Sequence, residues 1–357
     1  MMQTFSQMTP TAVDTTIPQT MQAAVIAAPG QIEMQTVPVP QPSAGELLIR
    51  LAGCGVCASN LPIWEGREWF QYPRGAGEHG HEGWGEVVAV GDGVAGFAVG
   101  DSVATLSNHA YAEYDLSPAS ATVKLPHTLA GRPFPAEPLG CAVNIFRRSG
   151  VQPGDTVAIV GIGFLGALLT EMAVQAGARV LAIARRETAQ SAARQYGTAE
   201  NPVQIIPMDD HWRIIEAVKA LTGGAGCQVV IEAVGKQWPL DLAAELTRER
   251  GRLIIAGYHQ DGPRQVNMQL WNWRGLDVVN AHEREAQVYT DGMQAAVEAV
   301  AAGTMNPYRL FTHSYPLTNL AEALRATAER PAGFMKALVT MDNQHTQTAA
   351  ASLPEAR

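Results

Sequence analysis

The sequence contains four candidate ligands for a catalytic zinc ion: Cys57, His81, Glu82 and Glu137. A thiolate, an imidazole and a carboxylate can form a tetrahedral site of sulfur, nitrogen and oxygen ligands. Three firm protein ligands are enough for catalysis, because a catalytic zinc keeps one exchangeable position for water or substrate. Scattered residues of these types fail to form a site more often than they form one, so their spacing alone does not establish a metal.

The pair Cys54 and Cys57 has two rival interpretations. A structural zinc would need a second cysteine pair, and Cys141 and Cys227 are too far apart to supply one. A redox pair would lie near a β–α–β pattern, whereas this loop lies in a region rich in short β-type runs. We therefore expect Cys54 to be a small buried side chain.

A second chemical motif begins where the apolar run from Val157 to Val160 ends. Gly161, Gly163 and Gly166 follow with the spacing G-x-G-x-x-G, and a helix-compatible segment comes next. This order suits a dinucleotide pyrophosphate: the glycines allow a tight turn, a close approach of the backbone to the phosphates, and close helix–strand packing. The alternative is an apolar strand with incidental glycines.

The next predicted strand indicates which dinucleotide binds. Such a strand normally ends in an acidic residue that accepts hydrogen bonds from the adenosine ribose. Here it ends in Ala184, and Arg185 and Arg186 follow directly. Because no carboxylate repels a 2′-phosphate and two guanidinium groups can bind it, we predict NADP(H) over NAD(H).

The elements that must position these residues fall into two kinds. Up to about residue 140 the chain consists of short β-type runs and turns, with no convincing helical period. After Gly154, strands alternate with helices, which predicts a parallel sheet with helices on both faces. We predict strands at Val157–Val160, Val180–Ala184, Val203–Pro207, Gln228–Ala233, Arg252–Gly257 and Leu276–Ala281, and helices at Thr188–Tyr196, His211–Leu221 and about Asp291–Ala302.

Composition narrows the class of protein. The chain has 357 residues, 46% of them hydrophobic, and a formal net charge of −9. The negative charge argues against nucleic acid or an anionic membrane as the main partner. Residues 1–20 lack the features of a signal peptide and, like residues 342–357, are expected to be loose tails. Four cysteines in a chain without a signal peptide suggest reduced thiols and a cytoplasmic location.

Four motifs carry a resemblance to a known family. The run from Gly55 to Asn60 resembles the Gly-Val-Cys-Gly-Ser/Thr-Asp loop of zinc-dependent medium-chain alcohol and polyol dehydrogenases. Gly80-His81-Glu82-Gly83 is similar to their Gly-His-Glu signature, and Glu137-Pro138-Leu139 to a motif of the sorbitol dehydrogenase branch. The glycine motif also matches, and the resemblance covers roughly residues 21–340.

The resemblance implies a GroES-like β domain, formed by residues 21–150 and 303–341, and a Rossmann domain at residues 151–302. It implies one catalytic zinc held by Cys57, His81 and either Glu82 or Glu137, with Ser59 hydrogen-bonded to the substrate alcohol. Cofactor contacts are expected from these residues: Gly161, Gly163, Phe164, Leu165, Gly166, Ala184, Arg185, Arg186 and Lys336.

Three departures from the family pattern matter. Pro62 stands where many relatives have the histidine that ends the proton relay, so the exit route must differ. Asn60 replaces the usual aspartate near the metal. The four-cysteine lobe of a structural zinc is absent, so we expect one zinc ion. His79 could compete with His81, but the signature favours His81.

Together these features predict an oxidoreductase that transfers hydride between NADP(H) and an alcohol, polyol or sugar, or the matching carbonyl. By analogy with the family we expect a homodimer or homotetramer with a small-molecule substrate. Two alternatives remain open: a metal-free quinone or enoyl reductase of the same superfamily, and a non-catalytic NADPH-binding protein.

Overall fold

The structure, a computed structural model, describes residues 17–341. The expected tail at 342–357 lies outside these residues, as does most of the expected tail at 1–20. The strands are β1 Thr20–Ala28, β2 Gln31–Pro38, β3 Glu46–Val56, β4 Gly83–Val90, β5 Ser102–Thr105, β6 Tyr114–Pro118, β7 Thr122–Lys124, β8 Thr156–Val160, β9 Arg179–Ala184, β10 Gln204–Pro207, β11 Cys227–Glu232, β12 Thr247–Ile255, β13 Asp277–Asn280, β14 Phe311–Pro316 and β15 Lys336–Thr340. The helices are α1 Leu61–Trp64, α2 Ala136–Ser149, α3 Phe164–Gln175, α4 Glu187–Arg194, α5 His211–Leu221, α6 Gln237–Leu246, α7 Met268–Arg274, α8 Ala286–Ala301 and α9 Leu320–Glu329.

The β-rich part of the molecule is built from both ends of the described chain. Its main sheet has the strand order β14-β15-β3-β4-β5-β7, with β6 also paired to β3. The β15 strand runs antiparallel to β3, so a late segment completes a sheet that begins near residue 46. Alternate residues of β3, such as Leu47, Ile49 and Leu51, are buried in a core that also includes Leu320 and Leu324 of α9.

The second sheet is parallel and has the order β10-β9-β8-β11-β12-β13. This is the doubly wound order in which the first and fourth strands flank the ligand crevice. Successive side chains of β8 enter opposite cores: Val157 and Ile159 pack with α2 and α3, and Ala158 and Val160 pack with α5 and α6. Burial on both faces explains the uninterrupted apolar run in the sequence.

The predicted strands all overlap observed ones, and α5 has the predicted bounds. One helix start was predicted late, and one helix begins before the residue at which a helical period becomes convincing. The α8 helix begins at Ala286, five residues before the predicted Asp291. Asp291 does not cap the helix: it lies inside it, and its carboxylate accepts a hydrogen bond from the Gln287 side chain. The α2 helix begins at Ala136, ahead of the predicted limit near residue 140.

Among residues 17–341, no helix is both long and apolar enough to cross a membrane.

Candidate metal and cofactor site

Two neighbouring strands bring the predicted metal ligands together. Cys57 follows the end of β3 and precedes a single 3-10 turn at Ala58–Asn60. His81 and Glu82 directly precede β4, which pairs antiparallel with β3 so that Cys54 lies opposite Gly83. One potential ligand atom from each of Cys57, His81 and Glu82 lies within 4.8 Å of the others.

The orientation of His81 is set by a backbone carbonyl. Its Nδ1 lies 2.9 Å from the carbonyl oxygen of His79, which can only accept, so Nδ1 carries the proton. The Nε2 atom is therefore left as the nitrogen that can bind a metal. The same carbonyl accepts a second hydrogen bond from Asn60 Nδ2 at 2.9 Å, and Asn60 is further held by the Tyr111 hydroxyl at 3.0 Å.

Glu82 is fully buried and faces Lys336, which is also buried. The ammonium Nζ lies 2.7 Å from Glu82 Oε1 and 2.5 Å from Oε2, and it also donates to the Val56 carbonyl at 3.2 Å. Only the Oε1 contact has hydrogen-bond geometry, so buried Oε2 lacks a hydrogen-bond partner. Gly55 leaves room for this carboxylate, because a Cβ there would lie 1.7 Å from Oε2.

Glu137 lies near this group without completing it. It occupies the first turn of α2, is buried, and accepts a hydrogen bond from the Tyr289 hydroxyl. Burial raises the pKa of Glu137, the charge of His81 lowers it, and the negative charge of Glu82 raises it again. The close group of three ligand types includes Glu82 and does not include Glu137.

The negative charges around His81 favour a positive charge at this position, whether on the imidazole or on a bound metal ion. Burial by itself would lower the pKa of His81, but its hydrogen bond with Cys57 and the negative charges of Cys57 and Glu137 raise it to about 10. A sulfur, a nitrogen and a carboxylate oxygen lie within 4.8 Å of one another here, and Glu82 Oε2 accepts no hydrogen bond. This donor set fits a zinc ion with an open position.

Ser59 and Pro62 lie on the same short segment as Cys57. The Ser59 hydroxyl is half-buried and donates to Asn60 Oδ1 at 3.3 Å, so its lone pairs stay available. Pro62 is buried in the first turn of α1 and carries no titratable group. Cys54 is fully buried, as expected.

The glycine motif forms the turn between β8 and α3. Gly161 has a φ of +96°, and a Cβ at Gly166 would lie 2.0 Å from the Gly161 carbonyl oxygen, so the helix approaches the strand as closely as predicted. Gly163 is the N-cap of α3, and Phe164 and Leu165, both half-buried, form its first turn. The helix N-terminus presents unpaired N–H groups.

Ala184 ends β9 and is buried, whereas Arg185 is exposed. Arg186 is half-buried, and its Nη1 donates to the carbonyl of Phe334 at 2.6 Å. Lys336, expected among the cofactor contacts, lies on Glu82 and 5.1 Å from the ring centroid of Phe164 in the glycine-motif helix.

Several site contacts were not predicted from sequence. The hydrogen bond from Tyr289 to Glu137 joins residues far apart in the chain, as does the bond of 3.3 Å from Gln260 Nε2 to the Ala58 carbonyl. For one contact, the ion pair between Glu82 and Lys336, the sequence offered a clue. The acidic residue of the Gly-His-Glu signature, if buried, needs a residue of opposite charge beside it.

Comparison with known proteins identifies the family. A family model described as the alcohol dehydrogenase GroES-like domain matches residues 43–127, and one described as zinc-binding dehydrogenase matches residues 165–302. Alcohol dehydrogenase 1 of Emericella nidulans is 31% identical over 280 residues, which cover 68% of this chain and 78% of that protein. The chain belongs to the zinc-type medium-chain dehydrogenases. Both the predicted family and the predicted fold class are thus confirmed.

Relatives within the medium-chain dehydrogenases match nearly the whole chain. Sorbitol dehydrogenase of Bacillus subtilis is 25% identical over 91% of this chain and 98% of its own length. A solved structure from Sinorhizobium meliloti 1021, assigned to the zinc-binding dehydrogenases and bound to NADP, has a TM-score of 0.76 and 25% identity. The aligned region covers 90% of this chain and 100% of the Sinorhizobium chain. This medium-chain dehydrogenase is therefore similar to sorbitol dehydrogenase over its length.

Proposed function

We propose that this dehydrogenase transfers hydride between NADP(H) and a polyol, sugar alcohol or small secondary alcohol, with one zinc ion per subunit. The observation that carries the proposal is the convergence of Cys57, His81 and Glu82 within 4.8 Å. The hydrogen bond from Gln260, which follows β12 of the parallel sheet, to Ala58 keeps this group beside the dinucleotide crevice. We also propose that residues 21–150 and 303–341 form the catalytic domain and that residues 151–302 form the cofactor-binding domain.

Cys57, His81 and Glu82 would hold the zinc ion, and Glu137 would stay outside the ligand set. Glu82 Oε2, which accepts no hydrogen bond, supports this assignment, as does the bond from Tyr289 that occupies Glu137 Oε1. When bound, the zinc polarises the substrate oxygen and lowers its pKa.

Ser59 is our candidate for receiving the substrate proton. Its hydroxyl donates to Asn60 Oδ1, which leaves its oxygen free to accept a proton from the alcohol. The next carrier in many relatives is a histidine, and Pro62 cannot take that role. We propose that, as Ser59 Oγ accepts the substrate proton, the serine gives its own hydroxyl proton to a water molecule, which carries it away.

Preference for NADP(H) rests on the end of β9. Ala184 removes the carboxylate that would repel a 2′-phosphate, and the exposed guanidinium group of Arg185 can bind it. The Sinorhizobium relative, whose structure contains NADP, supports the same choice. A clear preference for NADH in a binding titration would contradict this part of the proposal.

The decisive experiment combines metal analysis with a substrate panel on one sample. Wild-type protein should contain about one zinc per chain and oxidise members of a panel of sorbitol, other polyols and secondary alcohols with NADP⁺. Cys57→Ala should lose both the zinc and the oxidation but still bind NADPH. Cys227→Ala, which removes a buried thiol from β11, is the matched control and should keep all three properties.

The outcomes separate the alternatives. Unchanged turnover in Cys57→Ala would refute the zinc mechanism. Zinc-free wild-type protein that reduces quinones with NADPH would point to a metal-free reductase. Zinc-free protein that binds NADPH and turns over no member of either panel would point to the non-catalytic alternative.

A further inference from the structure

A loop from the β-rich part of the molecule docks against the end of β9, where the adenosine ribose is expected. This loop, residues 330–335, connects α9 to β15. It is fixed to the parallel-sheet domain by two hydrogen bonds: Arg186 Nη1 donates to the Phe334 carbonyl at 2.6 Å, and the backbone N–H of Gly333 donates to Thr188 Oγ1 at 3.0 Å. The 330–335 loop therefore lies directly beside the end of β9.

The loop begins with a third arginine. Arg330 is the C-cap of α9 and has left-handed backbone angles, with φ of 51° and ψ of 64°. This reversal ends the helix and turns the chain toward α4, where Phe334 and Gly333 make their contacts. Arg330 keeps solvent-exposed surface although the surrounding protein partly desolvates its guanidinium group, so its side chain is accessible to a ligand.

The positive charges of Arg185, Arg186 and Arg330 act on one another at this strand end. Desolvation, and then the charges of Arg330 and Arg185, lower the pKa of Arg186; desolvation and the charge of Arg185 likewise lower the pKa of Arg330. Within residues 17–341 none of the three forms a salt bridge, and the nearby Glu187 pairs with Arg194 instead. A cluster of unpaired arginines is a site for a dianion such as a phosphate monoester.

We propose that Arg330 binds the adenosine 2′-phosphate of NADP(H) together with Arg185, while Arg186 positions the 330–335 loop through the Phe334 carbonyl. This inference rests on the proposed preference for NADP(H) and extends it, because the phosphate pocket is then built from both domains. Of the two arginines predicted from sequence to bind the phosphate, Arg186 becomes a positioning residue.

The test compares two variants with the wild-type protein by fluorescence titration of NADPH and of NADH. Arg330→Asn removes the guanidinium and keeps a residue type that tolerates the left-handed backbone. Arg325→Gln is the control, because Arg325 is an exposed arginine of the same helix. Arg330→Asn should weaken NADPH binding by about tenfold or more, the loss expected for a charge-assisted hydrogen bond, and leave NADH binding unchanged. Arg325→Gln should change neither.

Failure of this inference differs from failure of the proposed function. If the wild-type protein prefers NADPH and Arg330→Asn keeps the wild-type affinity, the role of Arg330 is refuted and the cofactor preference stands. If the wild-type protein prefers NADH, both are refuted.

A second measurement uses only the wild-type protein, so it does not depend on the folding of a variant. Phenylglyoxal modifies accessible arginines, and peptide mapping identifies them. Adenosine 2′,5′-bisphosphate should protect Arg330 and Arg185, and adenosine 5′-monophosphate, which lacks the 2′-phosphate, should not. Equal modification of Arg330 with the two nucleotides would overturn the proposal.

Discussion

Replacing Lys336 by methionine removes the positive charge that faces Glu82 in the interior. Glu82 is 0% exposed and Lys336 is 5% exposed; burial lowers the pKa of Lys336, but the charges of Glu82, Cys57 and Glu137 and the hydrogen bond to Glu82 together raise it. The variant therefore leaves a buried carboxylate with no cationic side chain on it. Breaking a buried ion pair in this way costs about 3–5 kcal/mol of unfolding free energy.

The assay is urea denaturation in the presence of EDTA. With a denaturant slope of about 3 kcal/mol/M, the midpoint of Lys336→Met should fall by roughly 1–2 M. Lys219→Met is the control, because Lys219 is an exposed residue of α5, and its stability should stay within about 0.5 kcal/mol of wild type. The double variant with Glu82→Gln should recover most of the loss, because no charge is then left unpaired.

Zinc provides a further arm of the same experiment. If the metal binds beside Glu82, its charge replaces part of what Lys336 supplied, so the penalty of Lys336→Met should be smaller with zinc than with EDTA. A variant as stable as wild type in EDTA would refute the reasoning, because Glu82 would not then depend on Lys336 for a counter-charge.

Three further predictions follow from local geometry. Gly166→Ala should lower the thermal midpoint, because its Cβ would meet a backbone oxygen at 2.0 Å, whereas Gly163→Ala, with nothing within 4 Å, should leave it unchanged in the same calorimetric scan. Burial raises the pKa of Asp115 from 3.8 to about 6, so the folded protein holds the proton more tightly than the unfolded chain and stability should fall between about pH 4 and 6. Asp115→Asn should remove this fall, worth up to about 3 kcal/mol, from a series of urea midpoints across that range; an unchanged pH profile would contradict the assignment. Asn60→Asp restores the residue usual in the family. In the wild type the Asn60 amide donates to the His79 carbonyl at 2.9 Å, so the variant sets a carboxylate oxygen against that carbonyl. It should weaken zinc affinity in a competition titration with a chelator. Zinc affinity equal to or above that of wild type would show that the amide does not orient the site.

The alternation of strands and helices after Gly154 could be predicted from the sequence, because local residue patterns determine it. The Val157–Val160 run matches a strand buried on both faces. The α5 helix begins at the predicted His211, where Asp210 caps it by accepting a hydrogen bond from the backbone N–H of Arg213. The start of α8 was missed because Asp291 has the side chain of a helix cap and lies inside the helix.

The chemical types in the site were also predictable, whereas their mutual contacts were not. Cys57, His81 and Glu82 lie in recognisable motifs, but our proposal of Glu82 rather than Glu137 as the ligand depends on how β3 and β4 pair and where α2 starts. Arg330 carries no motif at all. It becomes relevant only because a helix turn and two hydrogen bonds bring its loop to β9, and no local pattern encodes that approach.

The pairing of Glu82 with Lys336 joins residues separated by 254 positions. At a synthesis rate of about 5–20 residues per second, the carboxylate waits roughly 10–50 s for its counter-charge during translation. In that interval β3 also lacks its neighbour β15 and presents a bare edge to the solvent. The loops that carry Cys57, His81 and Glu82 are thus translated early but acquire their counter-charge late, so the nascent β-rich part is open to mispairing until β15 is made.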